Sequence, residues 1–303
     1  MAENRRIKKV VKSRATVEGA GVHLHRAIGF GAPETTDPFL LLDDFRSDTP
    51  EEYLPGFPWH PHRGMETITY VLRGEVDHGD SLGNRGVIAA GDLQWMSAGS
   101  GIIHQEMPRG DASGAMHGFQ LWANLPAANK MLPPRYRGIA SGEIPEVADA
   151  GGATVKVIAG TVGGVTGPVR DVVTSPEYLD VSLPPGATFS HTLPRGHTVF
   201  AYVIGGQGVF CQQQDPYSYE AEGAGYFDME RPRLIGDRHL VHFGDGDAVT
   251  VAAEADPVRF LLVSGKPIGE PIAWYGPIVM NTQAELRVAF EELERGTFIK
   301  GRA

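Results

Sequence analysis

Two short segments of the sequence each place two metal-ligating side chains two residues apart. His60 and His62 lie in the segment FPWHPHRGME, and His104 and Glu106 lie in GIIHQEMP. In an extended strand, residues two apart point to the same side, and their α-carbons are about 7 Å apart. Each pair can therefore reach a single ion, and the spacing predicts a metal site if the two strands meet inside one barrel.

Together the four side chains would form a set of three histidines and one carboxylate. Such nitrogen and oxygen ligands suit Fe(II), Mn(II), Ni(II), Cu(II) or Zn(II). Four protein ligands leave two adjacent positions open on an octahedral ion, which would admit a bidentate substrate, or a substrate atom and dioxygen. Spacing alone also allows the alternative that these histidines only fill a barrel interior.

The rest of the chain predicts a β-rich scaffold around these residues. Short β-branched or aromatic runs, such as Thr67–Leu72, Val155–Ala159 and Thr198–Ile204, alternate with turn residues, and the chain has 39 glycines and 22 prolines. This pattern is typical of a sandwich or barrel. Near the end, Thr282–Arg295 has helical periodicity, with Thr282 and Glu285 forming a capping box.

A proline-rich stretch over residues 126–152 predicts a division of the chain into two domains. We expect a metal-binding N-terminal barrel at 1–135, a linker at 136–152, and a second barrel with the C-terminal helix at 153–303. Glycine turns after apolar strands in both halves indicate duplication. The second half has no matching pair of ligands, so we expect no metal there.

Composition excludes several classes of function. The chain of 303 residues has a net charge of −10 and no extended basic patch, which argues against direct nucleic-acid binding. Its single cysteine, Cys211, allows no intrachain disulfide and fits a reducing compartment. There is no secretory signal pattern and no apolar run of roughly 20 residues. These features predict a cytoplasmic protein without membrane association.

Longer blocks of sequence resemble the pirin family of the cupin superfamily over nearly the whole chain. The blocks include GDLQWMSAGSGIIHQEMP (91–108) and LWANLPAANKMLPPRYR (121–137), besides the stretches 57–84 and 269–298. The resemblance implies an all-β bicupin of two antiparallel, jelly-roll-like barrels with a short C-terminal helix. It also implies metal only in the first barrel, and it favours Fe(II) and a monomer.

The identity of the fourth ligand differs between two family patterns. The general cupin pattern places a glutamate four residues after its His-x-His pair, which here is Glu66. The pirin pattern places it on Glu106, next to the ligands His60, His62 and His104. We favour Glu106, and Glu66 is the alternative.

The resemblance implies two alternative functions. The favoured one is an oxidoreductase of the quercetin 2,3-dioxygenase type, which opens flavonols with dioxygen and uses Glu106 as a ligand and possible base. Its partners would be a small aromatic substrate and dioxygen. The other is a non-catalytic, redox-sensing iron protein that acts as a transcriptional co-regulator or binds a metabolic enzyme. For the aromatic pocket of the enzyme, candidate lining residues near the motifs are Phe57, Trp59, Met65, Trp95 and Met107.

Overall fold

The computed structural model describes residues 3–31, 33–223, 227 and 229–300, and most of its regular structure is β-strand. In chain order the strands are β1 (Ile7–Lys12), β2 (Arg14–Glu18), β3 (Val22–Ile28), β4 (Phe39–Asp44), β5 (Phe57–His62), β6 (Met65–Arg73), β7 (Glu75–Asp80), β8 (Arg85–Ile88), β9 (Leu93–Ser97), β10 (Ile102–Arg109), β11 (His117–Asn124), β12 (Arg135–Ile139), β13 (Glu146–Ala148), β14 (Thr154–Ala159), β15 (Thr161–Val162), β16 (Val165–Thr166), β17 (Glu177–Leu183), β18 (Thr188–Thr192), β19 (Thr198–Phe210), β20 (Glu220–Glu222), β21 (Ile235–Gly236), β22 (His239–Phe243), β23 (Ala248–Ala252), β24 (Val258–Gly265), β25 (Ala273–Tyr275) and β26 (Ile278–Met280). One α-helix, α1, spans Gln283–Glu294, and short 3-10 turns lie at Pro33–Thr35, Pro50–Glu52, Ala127–Asn129 and Ser141–Glu143.

The chain divides into two compact units, each of which includes one end of the chain. The N-terminal unit consists of Ala15–Ser141 and Ile268–Ala303, and the C-terminal unit consists of Met1–Arg14 and Gly142–Pro267. This division differs from the expected boundaries at both ends of the chain. The physical reasons are backbone pairing of β1 within the C-terminal unit and packing of α1 within the N-terminal unit.

Strand pairing and helix packing explain to which unit each terminal segment belongs. Strand β1 pairs antiparallel with β22, with Val10 opposite Val241, and its Ile7 and Val10 join an apolar core. Helix α1 packs its buried Leu286 and Ala289 with the hairpin β25–β26. The stretch expected to be a linker is also partly strand, since β12 pairs with β9 and β13 pairs with β14.

Two sheets form the framework of the N-terminal unit. The seven-stranded sheet has the order β12-β9-β6-β11-β4-β3-β2, and the four-stranded sheet has the order β5-β10-β7-β8. Side chains from both sheets meet between them, as where the hydroxyl of Thr69 on β6 donates to Glu106 on β10. The expected all-β, cupin-like fold is confirmed, and its sheets are jelly-roll-like rather than closed barrels.

The C-terminal unit is built on one large, branched sheet. Its main path runs β13-β14-β17-β24-β19-β22-β1-β20, and β18, β21 and β23 attach at its side. Apolar side chains of these strands, including Val155, Val181 and Phe260, form a buried core. The histidine His191 contacts Glu177 here, with 2.6 Å between Nε2 and a carboxylate oxygen.

The helix expected near the C-terminus is confirmed together with its cap. The side chain of Thr282 accepts from the backbone N–H of Glu285, and the carboxylate of Glu285 accepts from the backbone N–H of Thr282. This reciprocal capping satisfies N–H groups that have no partner within the helix. Within the described ranges, no helix is long and apolar enough to cross a bilayer.

The returning C-terminal segment packs closely against the turn between β5 and β6. Gly64 adopts a φ of +77°, and a Cβ atom there would lie 1.9 Å from the carbonyl oxygen of Val279. The buried Lys130 amine donates to the carbonyls of both Gly64 and Val279, at 2.8 and 3.0 Å. Beside them, the guanidinium of Arg63 forms an ion pair with Glu292. These contacts hold the segment next to His62.

We predict that Gly64→Ala destabilises the N-terminal unit by about 2–5 kcal/mol. The left-handed φ costs a side chain about 1–2 kcal/mol, and the clash with Val279 adds about 1–3 kcal/mol. All four tryptophans lie in this unit, so urea unfolding followed by tryptophan fluorescence measures its free energy of unfolding.

Gly83→Ala is the matched control, since Gly83 has a φ of +91° and nothing lies within 4 Å of the position that a Cβ atom would occupy there. It should show only the backbone cost of about 1–2 kcal/mol. Equal losses in the two variants would contradict the close approach of Val279.

Candidate metal centre

Three histidines converge because β10 lies between β5 and β7 in the four-stranded sheet. His104 is directly opposite His60 on β5, and Ile102 is opposite His62. Residues opposite one another in an antiparallel pair share a face, so all three imidazoles point between the two sheets. Their ring centroids are 4.4–4.9 Å apart, and one ligand atom from each lies within 4.8 Å of the others.

Backbone carbonyls orient two of the three rings. The Nδ1 atom of His60 is 2.8 Å from the carbonyl oxygen of Pro58, and Nδ1 of His62 is 3.3 Å from that of Pro277. Such contacts place the proton on Nδ1 and leave the lone pair on Nε2. The two Nε2 atoms lie 3.0 Å apart, so both lone pairs face a common point.

The surroundings of the third ring, that of His104, indicate whether an ion fits at this point. It is completely buried, and neither of its ring nitrogens has a hydrogen-bond partner among the described residues. A buried polar group without a partner is costly, and in native proteins it is normally satisfied by protein, water or an ion. A divalent ion at the convergence of the three rings would satisfy His104, so the residues present fit a metal.

Burial sets the protonation of the histidines. It is the main cause that lowers the pKa of His60 below its usual value and the pKa values of His62 and His104 well below theirs. Neighbouring imidazoles lower the pKa of His62 and His104 further, because each disfavours a positive charge on the next. At neutral pH all three rings are therefore neutral, which is the form that binds metal.

Glu106 lies beside the three histidines but is held by hydrogen bonds. Its Oε1 accepts from the hydroxyl of Thr69 at 2.6 Å, and its Oε2 is 3.4 Å from Nε2 of Gln120. It is not in the set of ligand atoms within 4.8 Å of one another. Burial raises its pKa to about 7, against the opposing effect of Thr69. The weakly held Oε2 is the oxygen that could turn towards an ion.

The alternative ligand, Glu66, points to the other side of the seven-stranded sheet. Its carboxylate accepts from the hydroxyl of Ser97 and its pKa is raised by burial. On the same strand Thr69, an odd number of residues away, faces Glu106, and alternation therefore turns Glu66 outward. Strand alternation does not carry over from His60 to Glu66, because Gly64 interrupts the strand and β5 and β6 belong to different sheets.

A cavity of about 410 Å³ opens next to the histidines within the N-terminal unit. His60, His62 and Glu106 line one part of it, and the ring of Trp122 lies 5.2 Å from that of His62. Most of its wall is apolar, and the volume is within the usual range for small-molecule sites. The remaining lining residues include Leu24, Phe30, Leu41, Phe45, Phe57, Pro58, Gln120 and Pro277.

Of the aromatic and sulfur-containing side chains expected to line this cavity, the structure places one there. Phe57 forms part of the wall. Trp59 is 52% exposed on the opposite side of β5, while Met65 and Trp95 are buried in other parts of the core. The sulfur of Met107 lies against Gly56, 2.9 Å from the position that a Cβ atom would occupy there, and Met107 does not line the cavity.

Sequence reasoning missed a second buried pair on the same face. His78 and Asp80 lie on β7, directly opposite Glu106 and His104. The ring of His78 stacks on Tyr136 at 4.9 Å and is 5.8 Å from the ring of His104. The two-residue spacing of His78 and Asp80 was a usable signal. No comparable sequence signal exists for Thr69, Gln120 and Trp122, because only the register between strands brings them to the site.

Comparisons with known proteins agree with this architecture. A family model described as Pirin matches residues 21–123, and one described as Pirin C-terminal cupin domain matches residues 178–299. A Caulobacter vibrioides pirin-like protein is 43% identical over 97% of this chain and 99% of its own length. A Pseudomonas aeruginosa protein named "Putative quercetin 2,3-dioxygenase" is 44% identical over 92% of this chain and 93% of its own.

A solved structure shares the fold over nearly the full length. It is a quercetin 2,3-dioxygenase from Acinetobacter baumannii, with a TM-score of 0.82 and 30% identity, and the match covers 97% of this chain and 98% of that one. The family expected from the sequence blocks is thus confirmed, and the chain belongs to the pirin family of cupin proteins.

Proposed function

We propose that this protein is a metal-dependent dioxygenase that opens flavonols such as quercetin at the 2,3 bond. The observation that carries the proposal is the buried His104, which has no partner among the described residues at the convergence of three neutral imidazoles beside an apolar cavity. The names of the relatives from Pseudomonas aeruginosa and Acinetobacter baumannii support the choice of substrate.

In this proposal His60, His62, His104 and Glu106 hold one divalent ion. Fe(II) is the favoured ion, and the ligand set also suits nickel, manganese, zinc or copper. When bound, the ion supplies a Lewis acid for the oxygens of the substrate and electron transfer to dioxygen.

Glu106 is the residue that moves the proton. Removing the proton from the 3-hydroxyl makes the C2–C3 unit of the flavonol electron-rich. As a ligand, Glu106 would have to leave the ion when substrate binds; freed in its buried site, where the pKa is raised to about 7, it can take up the proton and release it again. The hydroxyl of Thr69 and the amide of Gln120 would stay with the carboxylate and keep it oriented during the transfer.

The apolar wall holds the flat ring system and keeps water out. Trp122 and Phe57 present aromatic surfaces next to the histidines. The overall reaction is balanced when one flavonol and one dioxygen give one ester and one carbon monoxide. In it, C2–C3 and C3–C4 break, C3 leaves as carbon monoxide, and the proton held by Glu106 returns to the new carboxylate.

We predict that His62→Ala loses nearly all bound metal and keeps its fold, because it removes one of three converging ligands. Elemental analysis after loading with Fe(II) measures the metal, and circular dichroism checks the fold. His23→Ala, at an exposed position, is the matched control. Unchanged metal content in His62→Ala would refute the assignment of the site.

Metal affinity should depend on pH through Glu106. If its carboxylate binds the ion, the metal displaces a proton with a pKa of about 7. Affinity then rises up to about tenfold per pH unit below 7 and levels off above it. The histidines, with lowered pKa values, add little in the upper part of this range.

Glu106→Gln removes that displaced proton, so its affinity should be lower at pH 7 and less dependent on pH. Titration of metal into the apo protein between pH 6 and 8 measures both profiles. Glu66→Gln, on the other face of β6, is the matched control and should follow the unmodified protein. Identical profiles for all three proteins would exclude Glu106 as a ligand.

Turnover separates the dioxygenase from the redox-sensing alternative. Iron-loaded protein prepared without oxygen should consume dioxygen and release carbon monoxide when quercetin and air are added. Glu106→Gln should lower kcat by about 10²-fold or more, since it removes the base. Absence of uptake above the metal-free protein, together with partner binding that changes with the iron oxidation state, would favour the regulatory function.

A further inference from the structure

The cavity has a second polar region, formed by Arg26, Asp43 and Glu18. The guanidinium of Arg26 binds both carboxylate oxygens of Asp43, through Nε at 2.8 Å and Nη2 at 2.7 Å. Its Nη1 donates to Glu18 at 2.9 Å. Asp43 is buried, with 5% of its surface exposed, whereas the side chain of Glu18 is 41% exposed. Asp43 is therefore the fixed, inward-facing carboxylate of this region.

Strand register gives the separation between this region and the metal centre. Arg26, Asp43, Gln120 and Thr69 are directly opposite one another on β3, β4, β11 and β6, and so they share the inner face of the sheet. Neighbouring strands are about 4.8 Å apart, which puts the backbone of Asp43 about 10 Å from that of Thr69. The hydroxyl of Thr69 contacts Glu106, so the two carboxylates lie towards opposite ends of this row.

Apolar side chains lie between the two polar regions. Leu41 and Trp122 are opposite each other on β4 and β11, two residues from Asp43 and Gln120, and they line the same cavity. Phe57 closes the side formed by β5. A flat aromatic body fits such a wall, with one polar contact available at each end.

We propose that Asp43 determines substrate specificity by accepting a hydrogen bond from a phenolic hydroxyl at the end of the substrate remote from the metal. The substrate class would be a planar aromatic with a metal-chelating hydroxy-ketone at one end and a phenol at the opposite end. This inference rests on the proposed function, which places the hydroxy-ketone at the histidines.

The chemistry of Asp43 suits this role. Burial raises its pKa to about 6 while Arg26 opposes the rise, so the carboxylate is ionised above neutral pH. Each carboxylate oxygen has two acceptor directions, and Arg26 uses one on each. A ligand without the phenol would bury this carboxylate and supply no donor. Sites of this kind discriminate strongly against a missing hydroxyl.

Three ligands that differ by one hydroxyl test the inference. They are 3-hydroxyflavone, 3,4′-dihydroxyflavone and 3,7-dihydroxyflavone, and all have the chelating end. Their Kd values are measured with Fe(II)-loaded protein without oxygen, by quenching of tryptophan fluorescence. At least one dihydroxyflavone should bind about tenfold tighter than 3-hydroxyflavone. In Asp43→Asn that preference should fall to about twofold or less, with little change for 3-hydroxyflavone.

Asp77→Asn is the matched control, because Asp77 also binds an arginine but lies outside the cavity. It should keep the preference of the unmodified protein. Equal affinities for all three ligands in the unmodified protein, or no binding of any of them, would overturn the inference even if Asp43→Asn failed to fold. The inference would also be overturned if a folded Asp43→Asn variant lost the same amount of affinity for all three ligands.

Oxygen uptake is recorded separately with the same three ligands in air. A preserved binding preference without uptake would refute the dioxygenase and leave the role of Asp43 standing. Oxygen uptake with all three ligands and no preference in binding would support the dioxygenase and refute the role of Asp43.

Discussion

The pairing of β10 with β5 on one side and β7 on the other is the interaction on which the site depends. It sets His104 opposite both His60 and Asp80, and sets Glu106 opposite His78. Six polar or ionisable side chains are thereby gathered on the inner face of one small sheet, where apolar residues would ordinarily be found. Such a concentration is stable only if most of the groups find partners, and this explains the carbonyls, hydroxyls and amides that surround them.

The same burial has opposite effects on the charge of the two kinds of candidate ligand. It disfavours charge, so it keeps the imidazoles neutral and raises the pKa of the Glu106 carboxyl. Neutral imidazoles are ready to bind an ion, while a carboxyl that titrates near pH 7 can exchange its proton. One physical cause therefore prepares both the metal-binding and the proton-transfer parts of the proposed chemistry.

What could be predicted from the sequence was local. The pairs His60/His62 and His104/Glu106, the strands and the capping box of α1 all depend on residues a few positions apart, where alternation or helical spacing is informative. The side to which Glu66 points could not be read from its spacing to His60, because the chain leaves one sheet for another at Gly64. The contacts of Thr69, Trp122 and Asp43 depend on the register between distant strands, which no short pattern encodes.

The sequence also did not show that the N-terminal segment belongs to the C-terminal unit and the C-terminal segment to the N-terminal unit. Apolar strands such as β1 carry no signal for their pairing partner. The N-terminal unit receives Pro277, whose carbonyl contacts His62, from a segment more than 200 positions further along the chain. During synthesis on the ribosome, residues 15–141 emerge long before that segment does. Until that segment has been made, the strands that carry the candidate ligands lack one of the groups that orient them, so we expect the site to be fully assembled only after Pro277 has joined the N-terminal unit.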